Sequence, residues 1–189
     1  MYWIYFALLV PFNNILPASW GNENGVVETL QLLLLAFCIG VFIYYYGKKL
    51  LNWDGSVKAL CLSGSIAFFL LMMREISWGR VLILRPDGSI SQYSDLGIYG
   101  KLVHPIIVVL IIIAIACMYR AKVWRIFKYI KINVKYVVAL ILFVVMARLG
   151  ESHCFSLYSG DLAEELAELG VYAMLLIMLR DSFRQLQVK

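Results

Sequence analysis

Long, predominantly apolar runs decide what this chain can become. Five are present, over approximately Val26–Tyr46, Val57–Trp78, His104–Tyr119, Tyr136–Gly150 and Leu162–Leu179. The hydrocarbon core of a bilayer is about 30 Å thick and takes roughly 20 apolar residues per helix. Inside it every backbone N–H and C=O must find a partner within the chain, which a helix supplies locally. The expected fold is therefore an all-α integral membrane protein. Composition agrees: 62% of the residues are hydrophobic and 15% charged, against about 25% charged in a typical soluble domain. The runs spread over all 189 residues, so the chain reads as one polytopic membrane domain without a separate soluble one. The segment Tyr2–Leu16 is also apolar, but Pro11, Asn13 and Asn14 interrupt it. As a helix it reaches only about 22 Å. No basic stretch precedes it, as a cleavable signal would require. It is expected to be a short first span, giving a bundle of about six transmembrane helices.

Lysine and arginine then set the orientation. Lys48, Lys49 and Lys58 form one group, Arg120, Lys122, Arg125, Lys128, Lys131 and Lys135 a second, and Arg180, Arg184 and Lys189 a third. The three groups fall at alternate crossings, and the positive-inside rule places them in the cytoplasm. The C-terminus is then cytoplasmic, in a bacterial inner (plasma) membrane. Trp53, Trp124, Tyr129 and Tyr44–Tyr46 suit an aromatic belt at that boundary. The net charge of +5 is thereby explained by topology and anionic-lipid contact, and nucleic acid is not an expected partner. The expected partners are membrane lipids, with a homo-oligomer or a membrane-complex subunit left open.

The longest outer loop runs from Gly79 to Val103. Within it Val81–Leu84, the turn Arg85-Pro86-Asp87-Gly88 and Ser89–Tyr93 read as strand, turn and strand, because proline ahead of Asp-Gly presets a tight turn. A small outer, periplasmic hairpin is expected.

The acids are as unevenly placed as the bases, and on the opposite side. Only Asp54 and Asp181 lie at cytoplasmic positions; Glu23, Glu28, Glu75, Asp87, Asp95, Glu151, Asp161, Glu164, Glu165 and Glu168 lie at outer helix ends or loops. Five spans thus bring ionisable groups to one level: Glu28 opens the second, Arg74 and Glu75 close the third, His104 opens the fourth, Arg148, Glu151 and His153 close the fifth, and Glu164, Glu165 and Glu168 open the sixth. Charges at the centre of a span cost about 2.5–3.5 kcal/mol each on insertion scales and usually face the bundle interior. Arg148 and Glu151 share a helical face, as do Glu165 and Glu168. Even with Arg80 and Lys101 counted, carboxylates are in excess in this layer. Such an excess in low dielectric must be relieved by protons, water, a metal or a cationic ligand.

The blander readings are a solvated first turn for Glu164, Glu165 and Glu168, and structural ion pairs for Arg74–Glu75 and Arg148–Glu151. His104, before Pro105, also fits a plain interfacial residue. If a metal binds, Glu75, Glu151 and His153 are its ligands, but two histidines make a thin site, and no cofactor is expected. Cys38, Cys61, Cys117 and Cys154 form no C-x-x-C pair, and they read as small apolar fillers. Ser77, Ser152 and Ser156 sit in no nucleophile motif.

Two stretches resemble a known family. Glu23-Asn24-Gly25-Val26-Val27-Glu28 resembles an (E/D)-(D/N)-G-x-x-E segment that opens an early span in a family of uncharacterised bacterial polytopic membrane proteins. Arg74-Glu75-Ile76-Ser77-Trp78-Gly79-Arg80 resembles the E-E-I-S-W-G-Q-R segment that ends a later span in the same proteins. Here Arg74 stands for the first glutamate, and the glutamine before the last arginine is missing. The resemblance covers about a quarter of the chain. It implies Glu28, Glu75, Trp78 and Arg80 as a shared feature and carries no activity with it.

The expected function is an acidic, polar cavity near the periplasmic face that takes a lipid head group, a cation or a small solute. Glu28, Glu75, Glu151, Glu165 and Glu168 supply its negative charge. Arg74 and Arg148 orient the carboxylates or meet a phosphate, and His104 and His153 carry protons near neutral pH. The alternatives are a membrane-embedded enzyme acting on envelope lipid or glycan through carboxylate acid/base pairs, and an accessory subunit whose ion pairs are structural. A transporter is disfavoured, because Gly40 and Gly64 are the main interruptions near the midplane.

Overall fold

The computed structural model describes residues 15–21, 25–47, 54–82, 91–127, 130–151 and 160–187. These form α1 (Val26–Gly47), α2 (Asp54–Glu75), α3 (Gly97–Arg120), a short α4 (Val123–Phe127), α5 (Val134–Glu151) and α6 (Gly160–Gln187). Short 3-10 turns occupy Ala18–Gly21, Ser77–Leu82 and Tyr93–Leu96, and no strand occurs among the described residues. The fold is all-α. Three stretches, Ser19–Gly47, Gly55–Glu75 and Tyr93–Arg120, are long and apolar enough to cross a membrane. α3 shows what that means at the surface, since Ile106, Val108, Val109, Ile112 and Ile115 all stand exposed. A water-soluble monomer rarely leaves such a continuous apolar face uncovered, whereas a helix in lipid requires one. α5, about 27 Å long, and α6, about 42 Å, carry Lys135, Arg148 and Glu151, and a series of charges from Asp161 to Arg184, respectively.

The helix limits depart from the sequence expectation in three places. α3 begins at Gly97 rather than at His104, so His104 and Pro105 lie inside a helix. Proline removes one amide donor, yet α3 continues through it. α2 stops at Glu75, and Trp78 sits beyond it in a non-helical turn. α6 runs on through Gln187, well past the apolar run, as an amphipathic extension. Of the hairpin expected over 81–93, residues 83–90 lie outside the described residues, as does nearly all of Tyr2–Leu16. At the hairpin's flanks Val81 and Leu82 close one 3-10 turn and Tyr93 opens another.

The chain divides into two compact units, one of Met1–Leu34 with Lys131–Gln185, the other of Leu35–Ile130 with Leu186–Lys189. In the first, the opening turns of α1 join α5 and α6 around Val27, Ala139, Phe143, Leu162, Leu166, Ala167 and Met174, with Trp20 packed against them. Leu162, Leu166, Ala167 and Met174 repeat at helical spacing, so α6 offers one continuous apolar stripe. Gly170 lies on it, and a Cβ there would come 2.7 Å from the Phe143 ring. The small residue therefore lets α5 and α6 approach closely.

In the second unit α2 packs on α3. The buried Ser63 hydroxyl donates to the Ala114 carbonyl at 3.0 Å. Phe42 packs beside Phe68 with ring centres 5.8 Å apart. Past α3, Lys122 adopts φ 50° and turns the chain into α4, whose Val123 and Ile126 are buried while Trp124 is exposed. Ala59, Ala121 and Ile126 form a small core there. Cys38 and Cys61 are fully buried and free, and Cys117 is half-buried and free, which fits the filler reading for those three.

Candidate functional site

In the first unit α1 and α6 meet through polar groups in an otherwise apolar interface. Gly25 precedes α1, and its carbonyl accepts from the Thr29 amide at 3.1 Å and the Thr29 hydroxyl at 3.0 Å. Glu28 therefore lies in the first turn, where the helix dipole favours a carboxylate. It is only 6% exposed. One turn on, Gln31 is 0% exposed. Its Nε2 donates to the Glu165 carbonyl at 2.9 Å and to Glu165 Oε2 at 2.7 Å. The amide orientation follows from the first of these bonds, because a backbone carbonyl cannot donate and so must face the NH2 group. The Gln31 Oε1 atom then has no hydrogen-bond partner among the described residues. A buried acceptor without a donor costs about 1–3 kcal/mol, so this point suits water, another hydrogen-bond donor or a cationic group.

Glu164, Glu165 and Glu168 follow on the early turns of α6, all half-buried. Gly150, near the end of α5, runs so close to α6 that a Cβ there would come 2.8 Å from the Glu164 amide nitrogen. Arg148, exposed in the last turn of α5, sits where the helix dipole favours a cation. Glu151 ends α5, and His153 lies outside the described residues.

The second unit holds the Ile76–Arg80 segment. Arg74 and Glu75 approach at 3.9 Å, with the arginine side chain 64% exposed and the carboxylate only 7%. A pair this long with one partner in solvent is weak. Immediately after it Ser77 (φ 46°), Trp78 (φ 56°, ψ 38°) and Gly79 (φ 80°) occupy the left-handed region in succession. Glycine does so freely, whereas each non-glycine residue there costs roughly 1–2 kcal/mol. The turn is held by the Gly79 amide donating to the Ile76 carbonyl at 2.8 Å and the Tyr99 hydroxyl donating to the Trp78 carbonyl at 2.8 Å. Arg80 Nε donates to the Ser77 carbonyl at 3.3 Å, and its guanidinium lies 4.5 Å over the Tyr93 ring. The other neighbour of Tyr93 is His104, edge-on at 5.3 Å and exposed. Trp78, Arg80 and His104 are thus brought together by two tyrosines into a stabilised reverse turn.

Sequence reasoning singled out Glu28 and Glu165 but missed Gln31, the residue that bonds Glu165 across the two helices. The signal was present, a lone amide three positions after Glu28 in an apolar run. Tyr93 and Tyr99 were also missed as contacts, the first having been read as the end of a hairpin strand and the second as loop. No group of three or more histidine, cysteine, aspartate or glutamate side chains able to hold a metal occurs among the described residues. No family model matches the chain, and neither a curated protein nor a solved structure does.

Proposed function

We propose that the chain is a six-span protein of a bacterial inner membrane, with its C-terminus in the cytoplasm. Its outer end carries an acidic polar site for a cationic or zwitterionic group, such as a lipid head group, a cation or a small solute. The observation that carries this reading is the buried Gln31, bonded to the half-buried Glu165 one turn from the buried Glu28, with its amide oxygen unsatisfied. Glu164 and Glu168 extend the negative surface along α6. The E-N-G-V-V-E and R-E-I-S-W-G-R segments support kinship with the bacterial membrane-protein family named above, and the basic groups support the orientation.

The test is thermal unfolding of the full chain in detergent, with Mg2+, choline and phosphatidylcholine added separately. At least one should raise the unfolding temperature, and Glu28→Gln and Glu165→Gln should each weaken that response at least about tenfold in apparent affinity, the worth of one charge-assisted bond. Failure of all three probes, or responses that survive both substitutions, would overturn the reading. The direct Gln31–Glu165 bond favours a second reading, in which the cluster only locks α1 to α6. Glu165→Gln would then lower stability with no effect on any probe.

A further inference from the structure

A second polar cleft lies at the other end of α5 and α6. Its volume is about 220 Å³, and its walls are Lys131, Asn133, Tyr136, Asp181, Ser182 and Gln185, over Met178. Drug-sized ligands occupy roughly 300–1,000 Å³, so this space suits a small head group rather than a large molecule. It is built by hydrogen bonds. Gln185 Oε1 accepts from the Lys131 amide at 2.7 Å while its Nε2 donates to the Lys131 carbonyl at 3.1 Å, which pins the chain entering α5 onto α6. The Tyr136 hydroxyl donates to Asp181 Oδ2 at 2.9 Å and so orients that carboxylate.

The remaining polar atoms sort by type. On the α5 side, Asn133 Oδ1 accepts from the Lys135 amide at 3.0 Å, leaving its NH2 and the Lys131 ammonium as donors. On the α6 side, Ser182 Oγ donates to the Met178 carbonyl at 2.7 Å, leaving its lone pairs and the second Asp181 oxygen as acceptors. Lys131 and Asp181 are not paired with each other among the described residues. Opposite charges on one small cleft that do not neutralise each other complement a ligand carrying both signs. Asp181 and Gln185, whose side chain holds the Lys131 backbone, lie one helical turn apart on the same face of α6.

We propose that this cleft binds a zwitterionic phosphate–primary ammonium group, with the phosphate at Lys131 and Asn133 and the ammonium at Asp181 and Ser182. The group arrives either as an ethanolamine phospholipid of the bilayer or as a free phosphoethanolamine-like solute. A quaternary ammonium cannot donate to Asp181, and an anionic head group meets that carboxylate unfavourably.

Native mass spectrometry of the detergent-solubilised full chain tests this, with phosphatidylethanolamine, phosphatidylglycerol and phosphatidylcholine of identical acyl chains offered at equal concentration. Ethanolamine lipid should be retained about tenfold over both others, the worth of one charge-assisted bond. Asp181→Asn, which keeps an acceptor for Tyr136, and Lys131→Gln should each remove that preference. Arg180→Gln, an exposed neighbour outside the cleft wall, should leave it intact. Unfolding temperatures check that each variant folds, and Lys131→Gln decides the matter if Asp181→Asn does not. Soluble phosphoethanolamine that displaces the lipid marks a solute site, while retention of intact lipid alone marks a bilayer site; either supports the shared chemistry. Equal retention of all three lipids, a preference for phosphatidylglycerol, or a preference that survives both cleft variants would overturn it.

Discussion

Gly170 offers the cleanest test of how α5 and α6 are held together. A Cβ placed there meets Cδ1, Cε1 and Cγ of Phe143 at 2.7, 2.8 and 3.0 Å, so all three of its nearest contacts belong to one ring. That ring is 1% exposed, inside the core, where close packing leaves little room to shift. Gly170→Ala should therefore carry an overpacking penalty of about 1–3 kcal/mol. The higher helix propensity of alanine offsets about 1 kcal/mol of it. The net expectation is a destabilisation of about 1 kcal/mol. Phe143→Ala should cost about 3–5 kcal/mol by itself, but it removes the obstructing ring. In that background Gly170→Ala should change sign and stabilise by about 1 kcal/mol, a coupling that a double-mutant cycle isolates. Reversible unfolding in mixed micelles, followed by far-ultraviolet circular dichroism, measures all four proteins. If Gly170→Ala destabilised equally with and without Phe143, the close approach would not be what glycine serves here, and the argument would fail.

Other expectations follow from single contacts. Ser63→Ala should destabilise by about 0.6 kcal/mol, and at most about 1.7, the range for polar contacts between membrane helices, measured in the same unfolding assay. Gln185→Ala should change global stability little, because both of its bonds to Lys131 are solvent-exposed, yet it should speed tryptic cleavage after Lys131 by freeing that backbone. In a Cys154→Ser background, a membrane-permeant maleimide should modify Cys117 well before Cys38 and Cys61, which are fully buried, as peptide mass spectrometry would show. Tyr99→Phe removes the hydroxyl bonded to the Trp78 carbonyl and should lower stability by about 0.5–1.5 kcal/mol, with a changed Trp78 fluorescence as the local signature.

What could be read ahead of the fold was whatever the bilayer imposes on any sequence. A span must be apolar over about 30 Å, so α1 and α2 show as runs, and a charge is expensive within one, so the acids and bases show as bands. Limits that depend on backbone detail were less legible. α3 starts seven residues before His104 because the segment from Gly97 to Val103 can take helical form without a bilayer-length apolar signature. Trp78 looked like the last residue of a span, since hydropathy does not register that Ser77, Trp78 and Gly79 turn left-handed.

Sequence by itself determined the class of the protein, an all-α chain with membrane-spanning helices, because solvent chemistry acts on each segment separately. Only the tertiary structure decided which polar residues meet. Gln31 and Glu165 lie 134 positions apart, and Tyr136 and Asp181 lie 45 apart. No local pattern couples such distant residues. Their contact depends on which faces of α1, α5 and α6 turn toward one another, and that is settled by close packing at Gly170 and around Phe143 rather than by hydrophobicity.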